Sequence, residues 1–132
     1  MTLPTFHMIE AAPTPVAPFS HASEIEGWIY LTGQMPTWPD DPDRTLPVGI
    51  EAQTRRTMDN LVIVLAGLGL GLENVLQMRV YLTEFDRDYA VMNESYKSYF
   101  ADDKLPARTC VGVSGLAVGA LVEIDCVARR PG

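Results

Sequence analysis

The chain has 132 residues, of which 47% are hydrophobic and 20% charged, and its formal net charge at pH 7 is −7. This length and composition predict one soluble globular domain over residues 1–132. The acidic balance disfavours nucleic-acid binding, because a phosphate-binding surface gathers Lys and Arg, whereas the ten such residues here are scattered. No apolar run reaches the roughly 18 residues of a membrane helix, so no membrane partner is expected.

The N-terminal segment and the two cysteines bear on the compartment. Residues 1–19 lack a basic region and a continuous apolar run, so we expect no secretory signal peptide. Cys110 and Cys126 are too few for a zinc cluster and too far apart for a CxxC pair, so their simplest state is reduced and packed. We therefore predict a cytoplasmic protein without a metal site.

The first half of the chain predicts strands, a loop and a long helix. A short strand around 6–9 is compatible with the sequence, and residues 27–35, GWIYLTGQM, have the aromatic and β-branched content of a strand. Four prolines and an acidic cluster predict a loop over 36–47. Apolar spacings of three and four then predict a helix over 50–68. Its stripe consists of Ile50, Thr54, Met58, Leu61, Leu65 and Leu68.

The second half predicts strand, helix, strand and strand. Residues 75–85 alternate as a strand does, and we expect a second helix capped by Asp86, with an apolar stripe between residues 89 and 100. Two further strands are expected at about 107–113 and 120–128, joined by a glycine-containing turn. One face of the strand at 75–85 is expected to carry Leu76, Met78, Val80 and Leu82.

This order of elements predicts an α+β fold of two layers. Each strand–helix–strand crossover should be right-handed, which brings both helices to the same face of one mixed sheet. The other face of the sheet then has no helix to cover it.

Residues on the uncovered face decide the functional hypothesis. In the last strand, Glu123 and Asp125 alternate with an apolar set that belongs under the helices. In the strand before it, alternation separates Arg108 from Val111, and we place Arg108 on the uncovered face beside Glu123. A sheet face that mixes charged and apolar residues predicts a subunit interface, hence a homo-oligomer with its functional sites between chains.

Arg108 and Glu123 are the candidates for chemistry. The guanidinium presents a rigid fork of donors that suits a carboxylate, and a glutamate in a partly desolvated pocket can hold or activate a water molecule. Together they predict a site for a small organic acid. The alternative is structural: Arg108 pairs with Glu123 or Asp125 and joins strands or subunits.

Several segments carry a resemblance to a known family. The chain resembles the Rid (YjgF) family of enamine/imine deaminases, and the similar segments follow the family's order along most of the chain. They are APFSHA (17–22), IYLTGQMP (29–36), IEAQTRRTMDNLVIVLAGLG (50–69), VYLTEFDRDYAVMNESYKSYF (80–100), PARTCV (106–111) and GALVEIDCVA (119–128).

The resemblance implies a fold and an activity. The fold would be chorismate-mutase-like, a homotrimer with sites in the clefts between subunits. The activity would be hydrolysis of 2-aminoacrylate and related enamines or 2-imino acids to 2-keto acids and ammonia. Neither a metal nor an organic cofactor would be needed.

The resemblance also implies roles for individual residues. Arg108 matches the arginine that binds the substrate carboxylate, and Glu123 matches the glutamate that positions the attacking water. Cys110 matches a position whose backbone amide contacts the acid. Thr32 and Gly33 match a turn that lines the pocket.

Two further positions bear on the substrate. Asn93 matches an asparagine on the second helix near the family's site. Phe19 stands where the family commonly has a tyrosine, and it lacks the hydroxyl that could contact a ligand. This difference favours a bulkier or more apolar substrate, unless Phe19 is simply a packing residue.

Two other functions stay open at this point. One is deamination of a larger unsaturated amino acid such as 2-aminomuconate, with which Phe19 and the wide loop at 36–47 are compatible. The other is a non-enzymatic trimer that binds 2-keto acids. The net charge disfavours the RNA-directed activity suggested for relatives.

Overall fold

Six β-strands form one sheet and two α-helices lie against it in the computed structural model, which describes residues 2–132. The strands follow the order β1-β2-β3-β6-β4-β5 across the sheet. Their bounds are β1 Thr5–His7, β2 Ala22–Ile25, β3 Trp28–Gln34, β4 Val75–Leu82, β5 Ala107–Gly112 and β6 Val122–Arg129. The helices are α1 Ile50–Gly67 and α2 Phe85–Lys97, and short 3₁₀ turns occupy Leu72–Asn74 and Ala117–Gly119.

The topology confirms the predicted two-layer α+β architecture. Strand β6 is antiparallel to both β3 and β4, whereas β5 returns parallel to β4 after α2, so the sheet is mixed. Buried residues of the helices meet one face of the sheet, and they include the whole predicted stripe of α1. Within residues 2–132, no helix is both long enough and apolar enough to cross a membrane.

Strand β2 is absent from the sequence-based prediction. Its four residues, ASEI, are too few to show a convincing alternation. It pairs with β3 through a two-residue turn at Glu26 and Gly27, with Ile25 opposite Trp28. Both turn residues have positive φ angles, 51° and 83°, as the tight hairpin turn that matches strand twist requires.

Two local predictions are wrong. Helix α2 begins at Phe85 with Glu84 in the capping position, so Asp86 lies in the first turn instead of capping the helix. The register of β4 against β6 shifts between Val75 and Gln77, which is a β-bulge. The bulge leaves Leu76 48% exposed while Val75 is only 8% exposed, so Val75 takes the core position expected for Leu76.

The predicted placement of Arg108 on the uncovered face is also wrong. In the parallel register of β4 and β5, Arg108 lies beside Met78 and Cys110 beside Val80. Both of these β4 residues are fully buried beneath the helices, and paired residues of parallel strands point to the same face. Arg108 therefore belongs to the helix-covered face. Alternation alone could not assign the faces of this edge strand, because Val111, on its other face, is itself 42% exposed.

The loop after β3 is fastened to α1 by one buried side chain. Asn60 is fully buried, and its amide nitrogen donates hydrogen bonds to the carbonyls of Met35 (2.9 Å) and Thr37 (2.8 Å). Its Oδ1 accepts two hydrogen bonds from the guanidinium of Arg56, at 3.2 and 3.0 Å. Every bonding position of the amide is thus used, and the end of β3 is held against the helix.

Replacing Asn60 with alanine should lower the free energy of unfolding by about 2–4 kcal/mol, because two buried carbonyls lose their donors and a cavity remains. Urea denaturation followed by circular dichroism measures this. The matched control is Glu51→Gln on the exposed side of the same helix, for which we expect a change below about 1 kcal/mol. Equal losses in the two variants would contradict the role given to Asn60.

Candidate active site

The residues predicted for the site fall into two groups on opposite faces of the sheet. The first group surrounds an open cleft of about 300 Å³ at the β5 edge, which we call the arginine cleft. Asn93 and Arg108 both line it, and Cys110 lies two residues further along β5, half-buried against the core. The residues lining the arginine cleft are Asn93, Tyr96, Lys97, Leu105, Pro106 and Arg108.

Arg108 rests on aromatic rings of α2. Its guanidinium carbon lies 5.0 Å from the ring centre of Tyr96 and 5.9 Å from that of Tyr89, within the range of cation–π attraction. The polar contacts of Arg108 are weak, 3.5 Å to the Tyr89 hydroxyl and 4.0 Å to the sulfur of Met92. None of the ion pairs within residues 2–132 includes Arg108, so the predicted alternative pairing with Glu123 or Asp125 does not occur within the chain.

Two side chains beside Arg108, those of Tyr96 and Cys110, are uncharged near neutral pH. Burial raises the pKa of Tyr96 to about 12, against the opposing influence of Arg108. Burial likewise raises the pKa of the Cys110 thiol, and Arg108 again opposes the shift. A thiol with a raised pKa is a poor nucleophile, which agrees with a binding role for Cys110 through its backbone. Arg108 is thus the charge that a ligand would meet beside these two side chains.

The second group is built around an irregularity in β3. Between the pairs Leu31–Cys126 and Gln34–Ile124, β3 has one residue more than β6, and the extra length forms a β-bulge at Thr32 and Gly33. We call Thr32, Gly33 and the adjacent Glu123 the glutamate bulge. The carboxylate of Glu123 lies so close to the backbone of Gly33 that a Cβ atom there would collide with it. Phe19 shares a small crevice with Gly33.

The carboxylate of Glu123 forms no ion pair within residues 2–132. Burial raises its pKa, and the negative charge of Asp125 raises it further. Asp125 itself is paired, because Arg79 donates to both of its oxygens at 2.9 Å. The pKa of Glu123 is thus displaced towards neutral pH, as suits a group that exchanges a proton with water.

Sequence reasoning missed part of the arginine cleft. Tyr89 and Tyr96 were assigned to the apolar stripe of α2, yet they share their helix face with Asn93 and support the guanidinium of Arg108. The spacing of four and three residues that joins these positions was the available signal.

The Oδ1 atom of Asn93 is buried and has no hydrogen-bond partner within residues 2–132. Among the same residues, no group of three or more His, Cys, Asp or Glu side chains could hold a metal ion.

The fold and the two groups of site residues define a small two-layer α+β protein, and its similarity to known proteins identifies its family. The model of the family described as Endoribonuclease L-PSP matches residues 9–130. A RutC family protein of Synechocystis is 38% identical over 120 residues, which cover 91% of this chain and 92% of the relative. TdcF of Escherichia coli, provisionally named a reactive intermediate deaminase, is 27% identical over 123 residues, which cover 92% of this chain and 93% of TdcF.

Solved structures of similar proteins have the same fold over nearly the whole chain. The crystal structure of the yeast protein YEO7 has a TM-score of 0.90 at 29% identity, covering 98% of this chain and all of the yeast chain (100%). The structure of E. coli TdcF with bound serine has a TM-score of 0.85 at 27% identity, covering 95% of this chain and 99% of TdcF. The chain belongs to the Endoribonuclease L-PSP family, which is the Rid (YjgF) family that its sequence resembles.

Replacing Gly33 with alanine should displace the Glu123 carboxylate, because the added Cβ would occupy its place. A crystal structure of the variant, or the carboxyl ¹³C chemical shift of Glu123, measures the displacement. The control is Gly115→Ala, since nothing lies within 4 Å of a Cβ added at Gly115. An unmoved carboxylate in the Gly33 variant would contradict the contact described here.

Proposed function

We propose that this protein hydrolyses reactive enamines and 2-imino acids, 2-aminoacrylate among them, to 2-keto acids and ammonia. The observation that carries the proposal is Arg108, a guanidinium in an open cleft with no carboxylate partner within residues 2–132. Such a group suits the carboxylate of a small acid. Two properties of TdcF add support: its provisional name, and a crystal structure in which it holds serine, which also carries a carboxylate.

We further propose that each site forms between two subunits of a homotrimer. Arg108 and Glu123 lie on opposite faces of one sheet, so a single chain cannot bring both to the same small ligand. The arginine cleft is at the β5 edge, whereas the glutamate bulge belongs to the face that no helix covers. That face exposes large apolar side chains, Trp28 at 42% and Tyr30 at 53%, as a subunit interface does in a separated chain.

The proposed reaction has two stages. 2-Aminoacrylate first moves a proton from its nitrogen to its methylene carbon and becomes a 2-imino acid, whose carboxylate Arg108 binds. Water held by Glu123 then adds to the imine carbon, and a water proton passes to the nitrogen. The resulting carbinolamine breaks its C–N bond as its hydroxyl proton moves to the departing nitrogen, leaving a ketone and ammonia. Positioning supplies much of the acceleration, because the imine is already reactive.

The remaining site residues have supporting roles in this proposal. The backbone amide of Cys110 contacts the acid, and Thr32 and Gly33 form the wall against which Glu123 holds water. Asn93 offers a buried oxygen that lacks a donor within residues 2–132, and the substrate nitrogen carries suitable hydrogens. Phe19 closes the crevice beside Gly33 with an apolar ring.

A larger unsaturated substrate is the second candidate. Leu105, Pro106 and Tyr96 give the arginine cleft apolar walls, which suit a longer apolar side chain on the substrate. Comparison of kcat/KM for imino acids with short and long side chains separates the two candidate substrates.

RNA cleavage, which the family description names, is not proposed for a chain with a net charge of −7. A cytoplasmic location stays a prediction, with which the two free cysteines agree.

Arg108→Lys and Arg108→Ala should each lower kcat/KM by about 100-fold or more, because neither side chain offers the planar fork of donors. Ammonia release from imino acids generated fresh by an amino-acid oxidase measures this. Arg44→Lys, in the exposed loop before α1, is the control and should keep wild-type activity. Wild-type rates in the Arg108 variants would refute the proposal. Saturable binding of a 2-keto acid without ammonia release by the unmutated protein would support the binding-protein alternative.

A mixture of two inactive variants tests the shared site. Arg108→Ala and Glu123→Gln subunits, unfolded together and reassembled in equal amounts, should regain activity. If the two side chains come from different subunits, about one quarter of the interfaces in random trimers contain both intact residues. A site within one subunit would regain none. Light scattering must show three subunits in each sample, and a monomer would exclude the proposed assembly.

A further inference from the structure

Glu123 and Asp125 lie on one face of β6, and within residues 2–132 Asp125 forms an ion pair whereas Glu123 forms none. Arg79 is the register partner of Asp125 on β4, and its guanidinium donates two parallel hydrogen bonds, from Nε to Oδ1 and from Nη2 to Oδ2, both of 2.9 Å. Tyr81 is the register partner of Glu123, and its hydroxyl donates to Oδ2 of Asp125 at 3.4 Å. Asp125 is thus held by Arg79, and Tyr81 links the position of Glu123 to that of Asp125.

The charges that face Glu123 are few. Strand β3 presents the backbone of Gly33 to it, β4 presents the neutral phenol of Tyr81, and β6 itself presents Asp125. Beyond Tyr81, β5 contributes Val111 and, beside Arg79, Thr109, neither of which is charged. Within residues 2–132, no Lys, Arg or His forms an ion pair with Glu123. Within one chain, Asp125 is therefore the fixed negative charge beside Glu123 and Arg79 is the cation that offsets it, while Arg108 reaches the proposed site from the neighbouring subunit.

We propose that Arg79 is a positioning residue for the hydrolysis proposed above. It neutralises and orients Asp125, and Glu123 can therefore be ionised near neutral pH and hold the attacking water. The inference rests on the proposed function of Glu123. An uncompensated Asp125 would oppose a second negative charge two residues away, whereas the Arg79–Asp125 pair acts as a dipole whose effect on Glu123 is smaller. The direction agrees with the contribution of Asp125 to the raised pKa of Glu123.

A purely structural role for the same ion pair makes a different prediction. The side chain of Arg79 is 58% exposed, and β4 and β6 are already joined by their backbone ladder. In the separated chain the side chain of Asp125 is 16% exposed, and a pair with one solvent-exposed member contributes modestly to stability. If the Arg79–Asp125 pair only joined the two strands, its removal would change the denaturation midpoint slightly and would leave the pKa of Glu123 unchanged.

The test is a cycle of Arg79→Gln, Asp125→Asn and the double variant. The acidic limb of the pH profile of kcat/KM should move to higher pH in Arg79→Gln by roughly a few tenths of a pH unit, the size expected for a partly screened charge. It should move to lower pH in Asp125→Asn and return close to the wild-type position in the double variant. Arg79→Lys, which keeps the charge, should stay near the wild-type profile.

A second readout does not depend on catalysis. The carboxyl ¹³C resonance of Glu123, assigned by its loss in Glu123→Gln, should titrate with the same order of midpoints across the cycle. The control is Arg87→Gln, whose partner Asp88 lies on α2 in the other layer. If Glu123→Gln keeps full activity, the proposed function of Glu123 fails while the titration still tests the coupling. A titration of Glu123 that is identical in wild type and Arg79→Gln would overturn the inference.

Discussion

The alternation of side chains along β6 is the constraint on which the rest of the structure depends. This strand lies inside the sheet, between β3 and β4, so each of its residues must face either the helices or the uncovered side. Val122, Ile124, Cys126 and Ala128 are buried beneath the helices, and their neighbours in sequence point the opposite way. The same alternation that completes the core therefore presents Glu123 and Asp125 on the uncovered face.

The two candidate half-sites follow from where each strand lies in the sheet. Glu123 sits in the interior of the sheet, where Gly33 permits a bulge of β3 to approach its carboxylate. Arg108 sits on the edge strand β5, where the aromatic rings of α2 support the guanidinium and no neighbouring strand covers it. One sheet thus carries a cation-bearing edge and a carboxylate-bearing face, and the proposed assembly of subunits is what would bring them together.

Sequence patterns predicted the elements best where one face is fully buried. The α1 stripe and the apolar row of β6 were correct because a helix or strand beneath a second layer shows strong periodicity. The four-residue strand β2, the bulge at Leu76 and the start of α2 were missed or misplaced, because pairing partners and local register decide them. Of the site residues, Arg108 and Glu123 were singled out by chemistry, but Arg108 was given the wrong face because neither face of β5 is fully buried.

The sequence by itself determined the α+β class, the family resemblance and the candidate residues, since periodicity, turn residues and spaced motifs are local properties of the chain. Only the tertiary structure decided which residues surround each candidate. The parallel register of β4 and β5 carries Arg108 to the rings of Tyr89 and Tyr96, and the antiparallel register of β4 and β6 carries Arg79 to Asp125. These contacts join residues up to 46 positions apart, and strand pairing is a long-range choice that local sequence does not encode.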